Sequence, residues 1–137
     1  MRRTTFALAT LLLAHPAFAG EAEVKAAQSV VEGQLKAFQA GDGALAYSFA
    51  APTIKQMFPS PDIFMSMVEN GYRPVFKPQS YAFGKAEETS TTTIMQGVML
   101  VGPDGKDYEA LYQLALQPDG TWRITAVSLR AGSSLST

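Results

Sequence analysis

Residues 91–129 read TTTIMQGVMLVGPDGKDYEALYQLALQPDGTWRITAVSL, and the alternation of their side chains decides the fold. Val98 and Leu100 point one way and Met99 and Val101 the other, the period-two mark of a strand. From Asp107 to Gln117 the residues Tyr108, Ala110, Tyr112, Leu114 and Leu116 alternate with Glu109, Leu111, Gln113 and Ala115. From Thr121 to Leu129, Trp122, Ile124 and Ala126 are expected to face opposite to Arg123, Thr125 and Val127. Gly102-Pro103-Asp104-Gly105 and Pro118-Asp119-Gly120 are tight-turn sequences between these strands. Long strands joined by tight turns make an antiparallel meander.

Working upstream, Tyr81, Phe83 and Lys85 share one face of a further strand. Gly84 and Gly97 stand where a bend or bulge lets the sheet curl. Residues 72–80, YRPVFKPQS, carry Pro74 and Pro78 and are expected to form an extended connector rather than a helix. Before it the period changes to that of helices. Val24, Ala27, Val31, Leu35 and Phe38 line one face of a helix that Gly41 stops. Gly33 lies inside that helix, where it permits close packing or is a tolerated defect. Asp42 caps a short second helix and Thr53 a further turn. Ser60 followed by Pro61 opens a helix over residues 61–70, with Ile63, Phe64, Met67 and Val68 as its apolar face. Helices first and strands afterwards give an α+β domain: N-terminal helices packed against a curved four-stranded antiparallel sheet, a cystatin-like cone with an open end.

The first residues, MRRTTFALATLLLAHPAFAG, have the form of a cleavable signal peptide: Arg2 and Arg3, a short apolar run, then Ala17-Phe18-Ala19. The run is shorter than the roughly 20 residues a membrane span needs. We expect cleavage after Ala19, one domain over residues 20–131, a flexible tail over 132–137, and a periplasmic or secreted bacterial location. Loss of Arg2 and Arg3 leaves nine basic against twelve acidic residues, a net charge of −3. That balance argues against nucleic acid and against stable membrane association after cleavage. The chain has no cysteine, and its single histidine, His15, lies in the leader. No metal and no cofactor are expected, since the acidic residues lack a calcium-loop spacing and no phosphate or dinucleotide loop is present.

The run from Ala46-Tyr47-Ser48-Phe49-Ala50-Ala51-Pro52-Thr53-Ile54 through Met57-Phe58, Phe64-Met65, Gly71-Tyr72 and Pro74-Val75-Phe76, with Leu111-Tyr112-Gln113-Leu114 and Pro118-Asp119-Gly120-Thr121-Trp122-Arg123-Ile124 later, resembles the domain-of-unknown-function family 4864. The likeness covers nearly all of residues 24–130. That family resembles the nuclear-transport-factor-2-like, or SnoaL-like, superfamily, which implies a cone with a pocket and leaves the activity open, because the fold hosts enzymes and binding modules alike. The resemblance carries over no catalytic residue.

Without a mature histidine, a general base would be a carboxylate, a lysine or a tyrosine with a shifted pKa. Asp62 is explained by its place at a helix start, and Glu87 and Glu88 by a solvated hairpin. Glu69 stands near Tyr72 and Arg73, and Glu109 on the less apolar face of its strand. The candidate ligand-binding set is Tyr72, Arg73, Phe76, Tyr81, Tyr112 and Trp122, with Glu69. Tyrosine suits a ligand wall because it joins an apolar ring to a hydroxyl that wants a partner. Core packing is the stronger account of Tyr112 and Trp122, and Arg73 could hold an anion or a nearby carboxylate. The leading expectation is noncatalytic binding of a small apolar molecule or a protein partner. The alternative is a small-substrate enzyme, isomerase- or dehydratase-like, using carboxylate and tyrosine acid–base chemistry. A homodimer through the outer sheet face, with Leu111, Val127 and Leu129, is a further expectation.

Overall fold

A computed structural model describes residues 20–132; the expected leader with His15, and the expected tail from residue 133, lie outside the described residues. Helix α1, Glu21–Ala40, buries Ala27, Val31, Leu35 and Phe38 as its pattern requires, and Gln34 with them. It ends on Gly41, whose positive φ of 71° lets its N–H close back on Ala37 and Phe38 carbonyls. Gly33 has a packing role: a Cβ there would meet the Phe49 ring at 2.6 Å.

Helix α2, Gly43–Ser48, is capped by the Asp42 carboxylate, which accepts from Leu45 N. Helix α3, Pro52–Met57, is opened by Ala51 and Pro52 rather than by Thr53. Helix α4, Pro61–Gly71, has Ser60 as its cap, accepting from Ile63 N, and buries Phe64 and Val68. The expected extended connector is corrected by a single helical turn, α5, Arg73–Phe76. Pro74 sits in its first turn, where the missing N–H costs nothing and the fixed φ suits a helix.

Four antiparallel strands follow in spatial order β1-β2-β3-β4: Ser80–Ser90, Thr93–Val101, Asp107–Leu116 and Trp122–Ala131. The sheet is open. Gly105 and Gly120 supply positive φ in the tight turns. Gly132 N donates to Asp107 O at 2.8 Å, which ties the end of β4 to β3.

Extra residues break the alternation in the two outer strands. In β1, Phe83 pairs with Val98 and Ala86 with Gln96, so Gly84 and Lys85 together oppose Gly97. This is a bulge at the glycines expected to allow one. It reverses the phase: Lys85 is exposed, and Ala86 and Glu88 take over the helix-facing side. Glu87 and Glu88 belong to the strand and not to the hairpin tip. In β4, Gln113 pairs with Ala126 and Leu114 with Ile124, which leaves Thr125 unopposed. Val127 and Leu129 therefore turn inward and pack against the core, while Ala126 is exposed. A contact between copies through the outer face would rest on Leu111 and Met99, 40% and 47% exposed, and not on Val127 or Leu129.

The core lies between α1, α4, α5 and the inner sheet face. Phe38 is its hub, with the Phe64 ring at 6.0 Å and the Phe76 ring at 5.7 Å. Each buried side chain of this size contributes about 1.5–3 kcal/mol by leaving water.

Candidate functional site

Gln34 stands three residues after Val31 and four before Phe38, on the buried stripe of α1. Its Nε2 donates to Ala46 O at 3.0 Å, so the amide is held in place. Beside it runs a cleft of about 70 Å³. Phe64, Met67 and Val68 of α4 form one wall, with Tyr72 and Val75 from the start of α5. Tyr112 of β3 and Ile124 and Val127 of β4 form the other. The bulge at Thr125 is what brings both Ile124 and Val127 to this wall, since an unbroken strand would send Val127 outward.

Tyr112 is completely buried, and its hydroxyl has no hydrogen-bond partner among the described residues. A buried donor left unpaired costs about 1–3 kcal/mol. Burial also pushes the phenol well above its ordinary value of 10.0. Above that pH the unfolded chain ionises while the folded state keeps its proton, so stability is complete below pH 10 and falls as pH rises. The loss from this one group approaches about 1.4 kcal/mol per pH unit. Tyr112→Phe should flatten the slope of unfolding free energy against pH between 10 and 11.5, as read by urea titration at each pH. An unchanged slope would show that Tyr112 is not the group responsible.

Of the sequence candidates, the structure brings Tyr72 and Tyr112 to the cleft. Phe76 packs on Phe38 instead. Tyr81 donates its hydroxyl to Glu32 Oε2 at 3.2 Å, and burial, then the Glu32 charge and hydrogen bond, raise its pKa. Trp122 is buried, with Nε1 donating to Glu23 Oε1 at 3.2 Å near the start of α1. Glu69 and Arg73 are exposed and make no ion pair with each other; the ion pairs among the described residues are Lys36–Glu32 and Arg130–Glu109. Glu109 thus lies on the outer face. Asp62 and Glu87 are exposed. The tyrosine–carboxylate pairs present, Tyr81–Glu32 and Tyr108–Asp104, lie away from the cleft walls.

Gln34, Phe64, Met67, Val68, Val75, Ile124 and Val127 line the cleft and stand outside the sequence candidates. Gln34 carried a signal, a polar residue on an apolar helical stripe. Val127 carried none, because an unpaired residue in a strand leaves no mark in the period-two pattern. A larger hollow of about 340 Å³ is bounded by Ser80, Ala82, Met99 and Asp107, all of them exposed, and is a surface groove. Among the described residues no helix is long and apolar enough to cross a membrane, and no group of three or more acidic, histidine or cysteine side chains gathers as a metal site.

Residues 20–137 match the family described as "Domain of unknown function (DUF4864)". The chain matches no curated protein. In fold it is similar to the crystal structure of the iota-carbonic anhydrase from a cyanobacterium, complexed with bicarbonate. The TM-score is 0.52 and the identity 17%, over 93% of this chain and 100% of that one.

Proposed function

Since the chain belongs to the DUF4864 family, whose description assigns no activity, we propose that it binds a small, mostly apolar molecule in the cleft and leaves it chemically unchanged. One observation carries this reading: a small, mainly apolar hollow between α4 and the sheet, with the Gln34 side chain as its polar lining residue. A concave apolar site with few polar groups is the usual form of a small-molecule site. The cleft is far smaller than the roughly 300–1,000 Å³ of drug-sized pockets, so the guest is small. The similar cyanobacterial structure holds bicarbonate, which supports a small guest for a fold of this kind. The leader-like form of residues 1–19 supports a periplasmic or secreted location for this binding, and a cone of the nuclear-transport-factor-2-like type is our reading of the wider kinship.

A second reading is favoured by that neighbour being an enzyme: small-substrate acid–base catalysis. It is weakened because no carboxylate is among the residues lining the cleft. The test is methyl NMR of the protein with 2-butanone, isobutyramide and bicarbonate as probes. At least one should shift the methyl signals of Val68, Ile124 and Val127. Val127→Phe, which fills the space, should weaken that binding more than tenfold. Silent cleft methyls with all three probes, or undiminished binding by Val127→Phe, would remove the cleft as a site.

A further inference from the structure

We propose, resting on the cleft as a binding site, that its guest is a small uncharged hydrogen-bond donor, an alcohol above all, which donates to Gln34 Oε1. Two buried polar atoms at the cleft differ in a way that decides this. Among the described residues, the Tyr112 hydroxyl lacks both a partner and any surface open to a water-sized molecule, so no guest reaches it. Gln34 Oε1 accepts no hydrogen bond from any described residue either, yet it keeps surface that such a molecule can touch. Gln34 is only 3% exposed, and the cleft is the hollow that it lines, so this oxygen opens onto the cleft. The amide has one orientation. Nε2 donates to Ala46 O at 3.0 Å, and the reversed amide would set two oxygens against each other. The tie from α1 to α2 uses Nε2 alone and leaves the oxygen for a guest. A ketone brings only a second acceptor and leaves Oε1 unpaired in a closed site, whereas a hydroxyl pairs it. The donor is neutral, because no aspartate or glutamate is among the residues lining the cleft, and an ammonium group would lose its hydration there with no counter-charge. Size sets the rest. At roughly 10–15 Å³ per water-sized group, about 70 Å³ holds about five such groups, the non-hydrogen atoms of a four-carbon alcohol.

The experiment compares 2-butanol, as its better-binding enantiomer, with 2-butanone by methyl NMR titration of the full chain. The two are close in shape and differ in the hydroxyl donor. The alcohol is expected to bind about fivefold to tenfold more tightly, the worth of one neutral hydrogen bond. A second readout needs no variant: the Gln34 Cδ signal should move to higher frequency as 2-butanol binds and stay in place with 2-butanone. Gln34→Met removes the acceptor and should bring the preference below about twofold by weakening 2-butanol alone. If that variant fails to fold, the two probes and the Cδ signal of the parent chain decide. 2-Butanone binding as tightly as 2-butanol would overturn the selection while leaving the cleft a binding site. A still Cδ signal with 2-butanol bound, or a preference that survives in Gln34→Met, would overturn Gln34 as its source. Neither compound binding also overturns the proposal, and the results with isobutyramide and bicarbonate then decide whether the cleft itself stands.

Discussion

Phe38→Ala is expected to lower the unfolding free energy by about 3–5 kcal/mol, the range for emptying a buried phenylalanine site. Phe38 is 1% exposed, and its ring joins α1 to α4 through Phe64 and to α5 through Phe76. Neighbours cannot collapse into the gap without pulling α1 off the sheet, so the cavity term adds to the transfer term. Typical domains are stable by only about 5–15 kcal/mol, so this single change removes a large share. The measurement is the urea midpoint, with the slope of the transition unchanged. Phe58→Ala is the comparison. Phe58 is half-buried at the end of α3, with its ring 6.5 Å from Phe64, and should cost much less. Equal losses in the two variants would mean that Phe38 is not the hub.

Gln96→Met is expected to cost about 1–3 kcal/mol although it exchanges a polar core residue for an apolar one of similar size. Gln96 is fully buried. Its Nε2 donates to Gly97 O at 2.7 Å and Gly84 O at 3.2 Å, with Lys85 O at 3.5 Å, and its Oε1 accepts from Gln28 Nε2 at 3.1 Å. The bulge takes the Gly84 and Lys85 carbonyls out of regular pairing, and this one amide serves them. Methionine would leave those groups, and Gln28, without it. If the amide pair is real, Gln28→Met and Gln96→Met together should cost less than the sum of the separate changes. Strict additivity in urea denaturation would show that the glutamines act independently.

These residues also show what the sequence discloses and what it hides. The buried stripe of α1, the Ser60-Pro61 start of α4 and the glycine turns follow from local rules, since each depends on neighbours within a few positions. The short helix α5 is hidden in the sequence because Pro74 reads as a breaker, whereas a helix's own first turn tolerates it. The inward turn of Val127 was missed because one unpaired residue, Thr125, reverses every face after it, and which residue stays unpaired depends on β3 as well as β4. That slip is the reason the place of Val127 in the cleft is illegible in the sequence. Tyr72 and Tyr112 were found by residue type. Their meeting with Gln34 depends on how α1, α4 and the sheet pack, which no local pattern states.

The two borders of the sheet are treated differently. Along β4, the strand is covered near Ile124, whose backbone bonds Ala51 and Phe49. Along β1, no other strand among the described residues covers the outer side. A bare, regular border of that length would be a template on which another chain could crystallise its own backbone, the first step towards fibrils. The kink at Gly84 and Lys85 cuts that template into two short tracts and sets a charged side chain at the break. The irregularity that Gln96 stabilises from inside thus also acts as a guard against aggregation at high concentration.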